Sequence, residues 1–518
     1  PEPIIVWLLD KGTGELLPKV KQSQNIQKKA IRILKDIEKN PEVDPYVRWN
    51  KIKPEEGRSA VEAEFGIMHE GYLSDIPWDK AEFYSARDAD ATIRILPILM
   101  QMIEAKGLMQ TFITDMKAIP MVADMMEAGI EIDSEYFKEL SVYFKDHMDR
   151  LEQDITQMAG GKHINLSSHP QVSTLLFDTL KLPTVKGKST DEKVLSRLVD
   201  KHPVIQKLRD WRSYHKLKTT YSDQIPKKSR ANGRVHTTFR ITRTSTGRLS
   251  SANPNLMAVP VRSEEALLIR KGFVAQRGCS LVSNDYSQIE MIIAAEISQD
   301  KNMLQAFRDN ADIHSRTASL MFGIPECDID PTKHRYPAKR IGFGILYGIT
   351  ASGLFKQLEV AGAGNWTIKD CQDMIDMWFR AYPGVAKFMK DTSTHAKRFG
   401  FVRDLWGRIR YVPGVYAFDQ WIRLEALRQA GNAPIQMGAA GVLKKAMGDL
   451  VPLYRTLRKE GIFNPLIAIH DDLMFEIQDE LLSTAVPTIK LIMENAVKLS
   501  IPLKVDTKIG KTWGEMEN

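Results

Sequence analysis

Arg335, Lys339, Phe343 and Tyr347 recur every fourth residue along the stretch 335–348. On a helix each such step turns by about 40° and rises roughly 6 Å, so the four form one stripe. Its first half offers two cations with the reach to hold a polyphosphate. Its second half offers two aromatic rings, and Gly342 and Gly344 are expected to leave room beside Phe343 for a flat partner. That combination suits a nucleotide. An amphipathic core helix with snorkelling basic ends would show a similar stripe. Two glycines inside a helix, each costing roughly 1 kcal/mol relative to alanine, weigh against it, and Pro337 must lie in the first turn or kink the helix.

The elements that position chemistry elsewhere are shorter. Cys279 to Asn284 is an apolar-rich run that reads as a buried strand delivering Asp285 at its end, with a helical pattern following from Ser287 to Ser298. Far downstream, Pro465 to Glu476 reads as two strands with a turn at Asp471 and Asp472. An acidic pair alone is more often a turn or a helix cap than a metal site. Lys227, Lys228, Arg230, Arg234, Arg240, Arg243 and Arg248 crowd one segment. In another, Lys397, Arg398, Arg403, Arg408 and Arg410 interleave with Phe399, Phe401, Trp406 and Tyr411, a pattern that suits a phosphate track or an ordinary solvated face.

Together these segments resemble DNA polymerase family A, the DNA polymerase I family. The resemblance rests on Thr246-Gly247-Arg248-Leu249-Ser250-Ser251 with Pro254-Asn255-Leu256, on Asp285-Tyr286-Ser287-Gln288-Ile289-Glu290, on Asp312-Ile313-His314, on the stripe ending in Phe343-Gly344-Ile345-Leu346-Tyr347-Gly348, and on His470-Asp471-Asp472. These fall in the family's order and span about residues 119–518. The implied fold is α+β and multidomain, a right hand with an antiparallel-sheet palm and helical fingers and thumb. The implied boundaries are 1–118 for a partial exonuclease-like region, 119–245 for the thumb, 246–298 and 421–518 for the palm and 299–420 for the fingers.

The implied activity is template-directed, primer-dependent addition of deoxynucleotides to a 3′-hydroxyl, on primer-template DNA, by two-metal phosphoryl transfer that releases pyrophosphate. Two Mg²⁺ ions, for which Mn²⁺ could substitute, would be held by Asp285, Tyr286, Asp471 and Asp472, the last standing where the family commonly has glutamate. Two bare carboxylates about 4 Å apart would repel by about 4 kcal/mol at an effective dielectric of 20, which makes divalent cations their natural partner. Gln288, Glu290, His314, Arg335, Lys339, Phe343 and Tyr347 would bind the nucleotide, with Lys339 also placed to protonate pyrophosphate and Glu290 excluding a 2′-hydroxyl while pairing with Tyr347. Phenylalanine rather than tyrosine at 343 implies poor acceptance of dideoxynucleotides. Arg248, Asn255, Arg262, Arg428, Asn432, Gln436 and His470 would contact DNA. Departures from the family pattern occur at Met257-Ala258, Met291-Ile292, Gly342, Met437-Gly438 and Asp472, and suggest a divergent, phage-like branch with roles in replication or repair. Two alternatives stay open: a single-subunit RNA polymerase, and a catalytically silent polymerase-like DNA-binding protein.

Composition agrees with that range. The 518 residues exceed one core, and a formal charge of +7 favours a polyanionic partner. Cys279, Cys327 and Cys371 are odd in number, lack metal spacing and read as reduced, packed thiols. No apolar run is long enough to span a membrane, so the expectation is a soluble, intracellular, cytoplasmic monomer without a membrane partner. Starting at Pro1, the sequence is expected to be a fragment or a processed product.

Gln22 to Asn40 alternates at helical spacing and Pro41 to Gly57 reads as a polar loop. Tyr84 to Thr92 resembles the last carboxylate motif of a proofreading exonuclease, with Tyr84 and Asp88 as one corner. The other corners have no match, so no complete proofreading site is expected. Met121 to Ile132 and Tyr136 to Met158 show helical spacing, and Asn165 to Ser168 reads as a cap. Lys186 to Thr190 is not a P-loop, because Leu182 stands where the first glycine is required.

Overall fold

The structure of the protein is a computed structural model, which describes residues 78–184, 187–261, 263–360 and 366–517. The segments Gln22 to Asn40 and Pro41 to Gly57, the side chain of Tyr84, and Arg262 lie outside the described residues. The chain divides into two compact units, residues 1–102 and 103–518. Asp88 is exposed on the helix Trp78–Ala105. Among the described residues no helix is long and apolar enough to cross a membrane.

The second unit is α+β, built on a four-stranded antiparallel sheet. Its strands are β1 (Cys279–Tyr286), β2 (Phe463–Ile469), β3 (Asp472–Gln478) and β4 (Val505–Gly510), in the order β4-β1-β3-β2. As the apolar run at 279–282 implies, β1 is buried through Val282 and opens to solvent only at Asp285. Strands β2 and β3 form the expected hairpin. His470 holds φ at +54° in its turn, a left-handed backbone that costs a non-glycine residue about 1–2 kcal/mol.

Six helices build and support the site: α1 (Met109–Ala128), α2 (Ile289–Ser298), α3 (Ile313–Phe322), α4 (Tyr336–Leu346), α5 (Ile368–Ala381) and α6 (Gln420–Leu457). Helix α6 lies along α1 and meets α2, and both α1 and α6 back strand β2. At the α2–α6 contact, a Cβ on Gly438 would lie 2.8 Å from Ile293 Cγ2, so only glycine allows the approach. Met437, Met291 and Ile292 are buried. These departures from the family pattern are therefore choices of core packing. Helices α3, α4 and α5 pack on one another, with α5 opened by a capping box between Thr367 and Asp370. The helices Ser134–Met158 and Pro203–Leu217 carry a separate apolar cluster that runs from Met148 to Trp211.

Three sequence expectations are corrected. The helix through Met121 stops at Ala128, and Ile130–Ile132 is a strand pairing with Arg234–Val235 and Phe273–Val274, because Gly129 turns the chain at φ +61°. Cys327 is exposed, whereas Cys279 and Cys371 are buried. The Asn165–Ser168 segment forms an Asx turn, Ser167 N donating to Asn165 Oδ1, and Ser168 makes no side-chain cap bond.

An ion pair ties this small sheet to the large one. Arg234 Nη2 donates to Glu476 Oε2 at 2.9 Å and to the Gly129 carbonyl at 2.9 Å, while the Gln276 amide donates to Glu476 Oε1 at 3.0 Å. Glu476 is wholly buried, so loss of the arginine would strand its charge. Arg234→Met is expected to lower the thermal unfolding midpoint by an amount consistent with about 3–5 kcal/mol. An unchanged midpoint would refute the assignment.

Candidate active site

Antiparallel pairing of β1 with β3 sets Asp285 opposite Asp472, and the Tyr286 amide donates to the Asp471 carbonyl at 3.2 Å. Two acidic segments 186 residues apart in sequence thus meet at one end of the sheet. Asp285 faces solvent, while Asp471 is half-buried. Asp471 Oδ1 is buried and has no hydrogen-bond partner. Burial pushes the Asp471 carboxyl up to about 7; Arg248 pulls it back, and Glu290 and Asp285 push it further up.

The other proposed metal residues stand differently. Asp472 accepts from Ser283 Oγ at 2.7 Å and from the Asn284 amide at 2.9 Å, so its carboxylate is already held by β1. The Tyr286 ring is buried, with its hydroxyl donating to the Met493 carbonyl at 2.7 Å; only its main chain lies at the acidic end. Gln288 enters α2 with φ +56°, a left-handed strain next to the acids.

Glu290 follows in the first turn of α2 and is buried. It is ion-paired with Arg248 and shares a hydrogen bond with the Tyr347 hydroxyl. Burial and the Glu290 charge push the Tyr347 hydroxyl up to about 12, with Arg248 opposing. Arg248 thus joins Glu290, Tyr347 and Asp471 into one charged patch.

Helix α4 presents the stripe on its outer face. Of the two places open to Pro337, it takes the first turn; Lys339 is exposed, Arg335 and Phe343 are half-buried, and Tyr347 is the residue after the last turn. The two glycines do not make the room expected beside Phe343. Gly342 is on the buried face against Met291 and Trp378, and a Cβ on Gly344 would lie 2.8 Å from Ile349. Gly344 admits the protein's own chain, whereas a Cβ at Gly342 would make only ordinary contact. Gly348 turns at φ +74° beside α6, where a Cβ would meet Asn432 Nδ2 at 2.8 Å and Arg428 Cβ at 3.5 Å.

Arg335 is not bare. Its Nε donates to Asp312 Oδ2 at 2.6 Å. Burial would raise the Asp312 carboxyl, but hydrogen bonds from Arg335 and Ser315 outweigh it and hold the group down at about 2. Asp312 also caps α3. His314, two residues on, is buried against Phe343, their rings 5.4 Å apart. Arg428 and Asn432 lie on α6 beside Gly348, with Gln436 one turn further along the helix and Arg428 paired to Glu425. Asn255 accepts from Ser251 Oγ at 2.8 Å, and His470 is exposed at the acidic turn.

Two carboxylates escape a reading of the sequence. Asp506 on β4 lies directly opposite Asp285 and accepts from Ser287 Oγ. Asp312 belongs to a recognisable motif, but nothing local marks it as the partner of Arg335; strand register and a contact across 23 residues leave no pattern to read. Among the described residues no three acidic, imidazole or thiol groups form a ready-made metal cage. The arrangement can instead offer two carboxylates to a cation whose remaining ligands come from a phosphate and water, the usual environment of Mg²⁺.

The model of DNA polymerase family A matches residues 134–515. The chain is 37% identical over 449 residues to DNA polymerase I of Treponema pallidum, covering 86% of this chain and 44% of that protein. It is 38% identical over 399 residues to the thermostable DNA polymerase I of Thermus aquaticus, covering 76% and 46%. It thus spans under half the length of these curated relatives. A solved structure, the POL domain of Pol1 from M. smegmatis in complex with DNA primer-template and dNTP, superposes with a TM-score of 0.71 at 33% identity, covering 78% of this chain and 70% of that one.

Burial holds His314 down at about 4, with Lys339 and Arg335 acting in the same sense and Asp312 against it. The folded state therefore keeps the ring neutral between its ordinary value of 6.5 and about 4, where the unfolded chain takes up a proton. Stability should fall as pH drops through that window, by up to about 3 kcal/mol from this group. His314→Phe is expected to shrink the loss of thermal midpoint between those pH values. Equal losses in both proteins would contradict the placement.

Proposed function

The chain belongs to DNA polymerase family A, and from that premise we propose that it extends a primer on a DNA template with deoxynucleoside triphosphates. Residues 246–298 and 421–518 serve as palm, 299–420 as fingers and 119–245 as thumb. The observation that carries the reading is the buried, unpartnered Oδ1 of Asp471 beside Asp285. A carboxylate oxygen kept from water with no donor is costly unless a cation completes it. The donor set fits Mg²⁺, and Asp285 and Asp471 would hold it. When bound, the ions activate the primer 3′-hydroxyl and neutralise charge on the leaving pyrophosphate.

The protein's own groups do the positioning. Lys339, on the open face of α4, meets the triphosphate and supplies a proton to the leaving group. Arg335 exchanges Asp312 for phosphate oxygens. Phe343, backed by His314, receives the base and sugar. Glu290 fills the space beneath the sugar, held there by Arg248 and Tyr347, and its carboxylate crowds a 2′-hydroxyl. Arg428, Asn432, Gln436, Asn255 and His470 face the template and primer. Asp472 and Tyr286 serve the metal site indirectly, the first by fixing β1 through Ser283 and Asn284 and the second through its main chain.

A primer-extension assay with labelled primer, each nucleotide type and Mg²⁺ tests this. The wild type should extend with deoxynucleotides and poorly with ribonucleotides, and Asp471→Ala should lose at least about 10³-fold in rate. Extension that survives Asp471→Ala would sink the metal assignment. Glu290→Ala should admit ribonucleotides more readily in single-nucleotide kinetics, and unchanged discrimination would reject the sugar gate.

A further inference from the structure

An aromatic and basic surface begins where the nucleotide site ends. The strand pair Phe401–Arg403 and Ile409–Tyr411, the short turn Pro413–Tyr416 and the start of α6 together expose Tyr411, Tyr416, Phe418 and Trp421. Phe418 is fully exposed and Trp421 is 78% exposed. Large rings left open to water at the first turn of a helix are unexplained by packing, since Asp419 already caps that helix and Ala426 and Ala430 provide its buried contacts.

Position along α6 gives these rings a direction. Trp421, Arg428 and Asn432 are spaced by seven and then four residues, so they share one helix face. Asn432 and Arg428 abut Gly348, the residue after Tyr347. Trp421 therefore stands about 10 Å beyond Arg428 along the helix axis. That distance is about three nucleotides at the spacing of a stacked strand. Cations flank the rings. Arg398 lies over Phe399 at 5.0 Å and Arg403 over Phe401 at 5.4 Å, while Arg410 and Arg423 hold Gln429 and the Ala417 carbonyl. The nearby acids are engaged, Asp419 with the Ile422 amide and Glu425 with Arg428.

We infer that this surface is a stacking platform for the unpaired template strand ahead of the nucleotide site, with Phe418 and Trp421 receiving bases. The inference rests on the polymerase reading. Exposed rings interleaved with cations match a single-stranded polyanion, because every base offers a ring face and every linkage a phosphate. A protein partner would call for an apolar centre with charge moved to the rim.

The test measures binding by fluorescence anisotropy on two primer-templates of identical duplex, one with a single unpaired template nucleotide and one with about ten, a span longer than the three that reach Trp421. Wild-type protein should bind the longer overhang about tenfold more tightly, as one or two stacked bases provide. F418A/W421A should lose that difference and W421F should restore it, with thermal unfolding confirming that all three fold alike. An overhang advantage that persists in F418A/W421A overturns the platform and leaves the rings to a protein partner. Extension by wild type on the single-nucleotide overhang reports the polymerase reading separately, so failure of one is distinguishable from failure of the other.

Discussion

The pairing of β1 with β3, closed by the Tyr286 amide on the Asp471 carbonyl, is the constraint on which the site depends. It sets the relation between two acids that the chain keeps 186 residues apart. Closing so long a loop costs only slightly more entropy than closing one half as long, because the cost grows logarithmically. The electrostatic cost is larger. Burial, with Glu290 and Asp285 acting in the same sense, raises the Asp471 carboxyl to about 7. A fold optimised only for stability would place an apolar residue there. The sheet instead spends its register on an arrangement that becomes favourable when positive charge arrives.

Arg248 partly supplies that charge from within the protein. Its guanidinium answers Glu290 directly and Asp471 at longer range, and it reaches the Tyr347 hydroxyl. A buried glutamate alone would cost several kcal/mol; paired and hydrogen-bonded, it becomes a fixed object against which a ligand can be measured. The three residues come from a loop before β1, from α2 and from the end of α4. Their network therefore also reports whether α4 is seated against the sheet. Phe343 and His314 repeat the device one turn away, a buried neutral ring supporting an open one.

The acidic ends of β1 and β3 are legible in the sequence because a buried strand is rich in apolar residues, as Cys279 to Asn284 is and as Pro465 to Glu476 is on either side of its acidic turn. That Asp285 meets Asp471 is legible only through the family resemblance, since register leaves no spacing signal. The stripe on α4 reads correctly as one face, with Pro337 in the first turn. Gly342 and Gly344 read wrongly, because a glycine in a helix does not say what approaches it; at Gly344 it is Ile349, while at Gly342 a Cβ would make only ordinary contact with Met291 and Trp378. The strand at Ile130–Ile132 escapes for a related reason: three apolar-flanked residues continue a helical pattern as easily as they begin a strand, and only the pairing with Arg234–Val235 and Phe273–Val274 decides. Met437, Met291 and Ile292, which the sequence shows only as departures from the family pattern, are core residues.

The pairing of Arg335 with Asp312 shows how magnitudes decide a role. Both side chains are more than a third exposed, so despite the short contact the pair contributes on the order of 0–1 kcal/mol. A polyphosphate brings more charge than one carboxylate and is bound with bidentate geometry by arginine, so under the proposed function it would displace Asp312 at little cost. Asp312 loses little in return, for it keeps its cap on α3 and its bond to Ser315. The ion pair is thus strong enough to aim the guanidinium along α4 and weak enough to yield it. A buried pair at the same place, like that of Arg234 with Glu476, would hold the arginine against the ligand that is to take it.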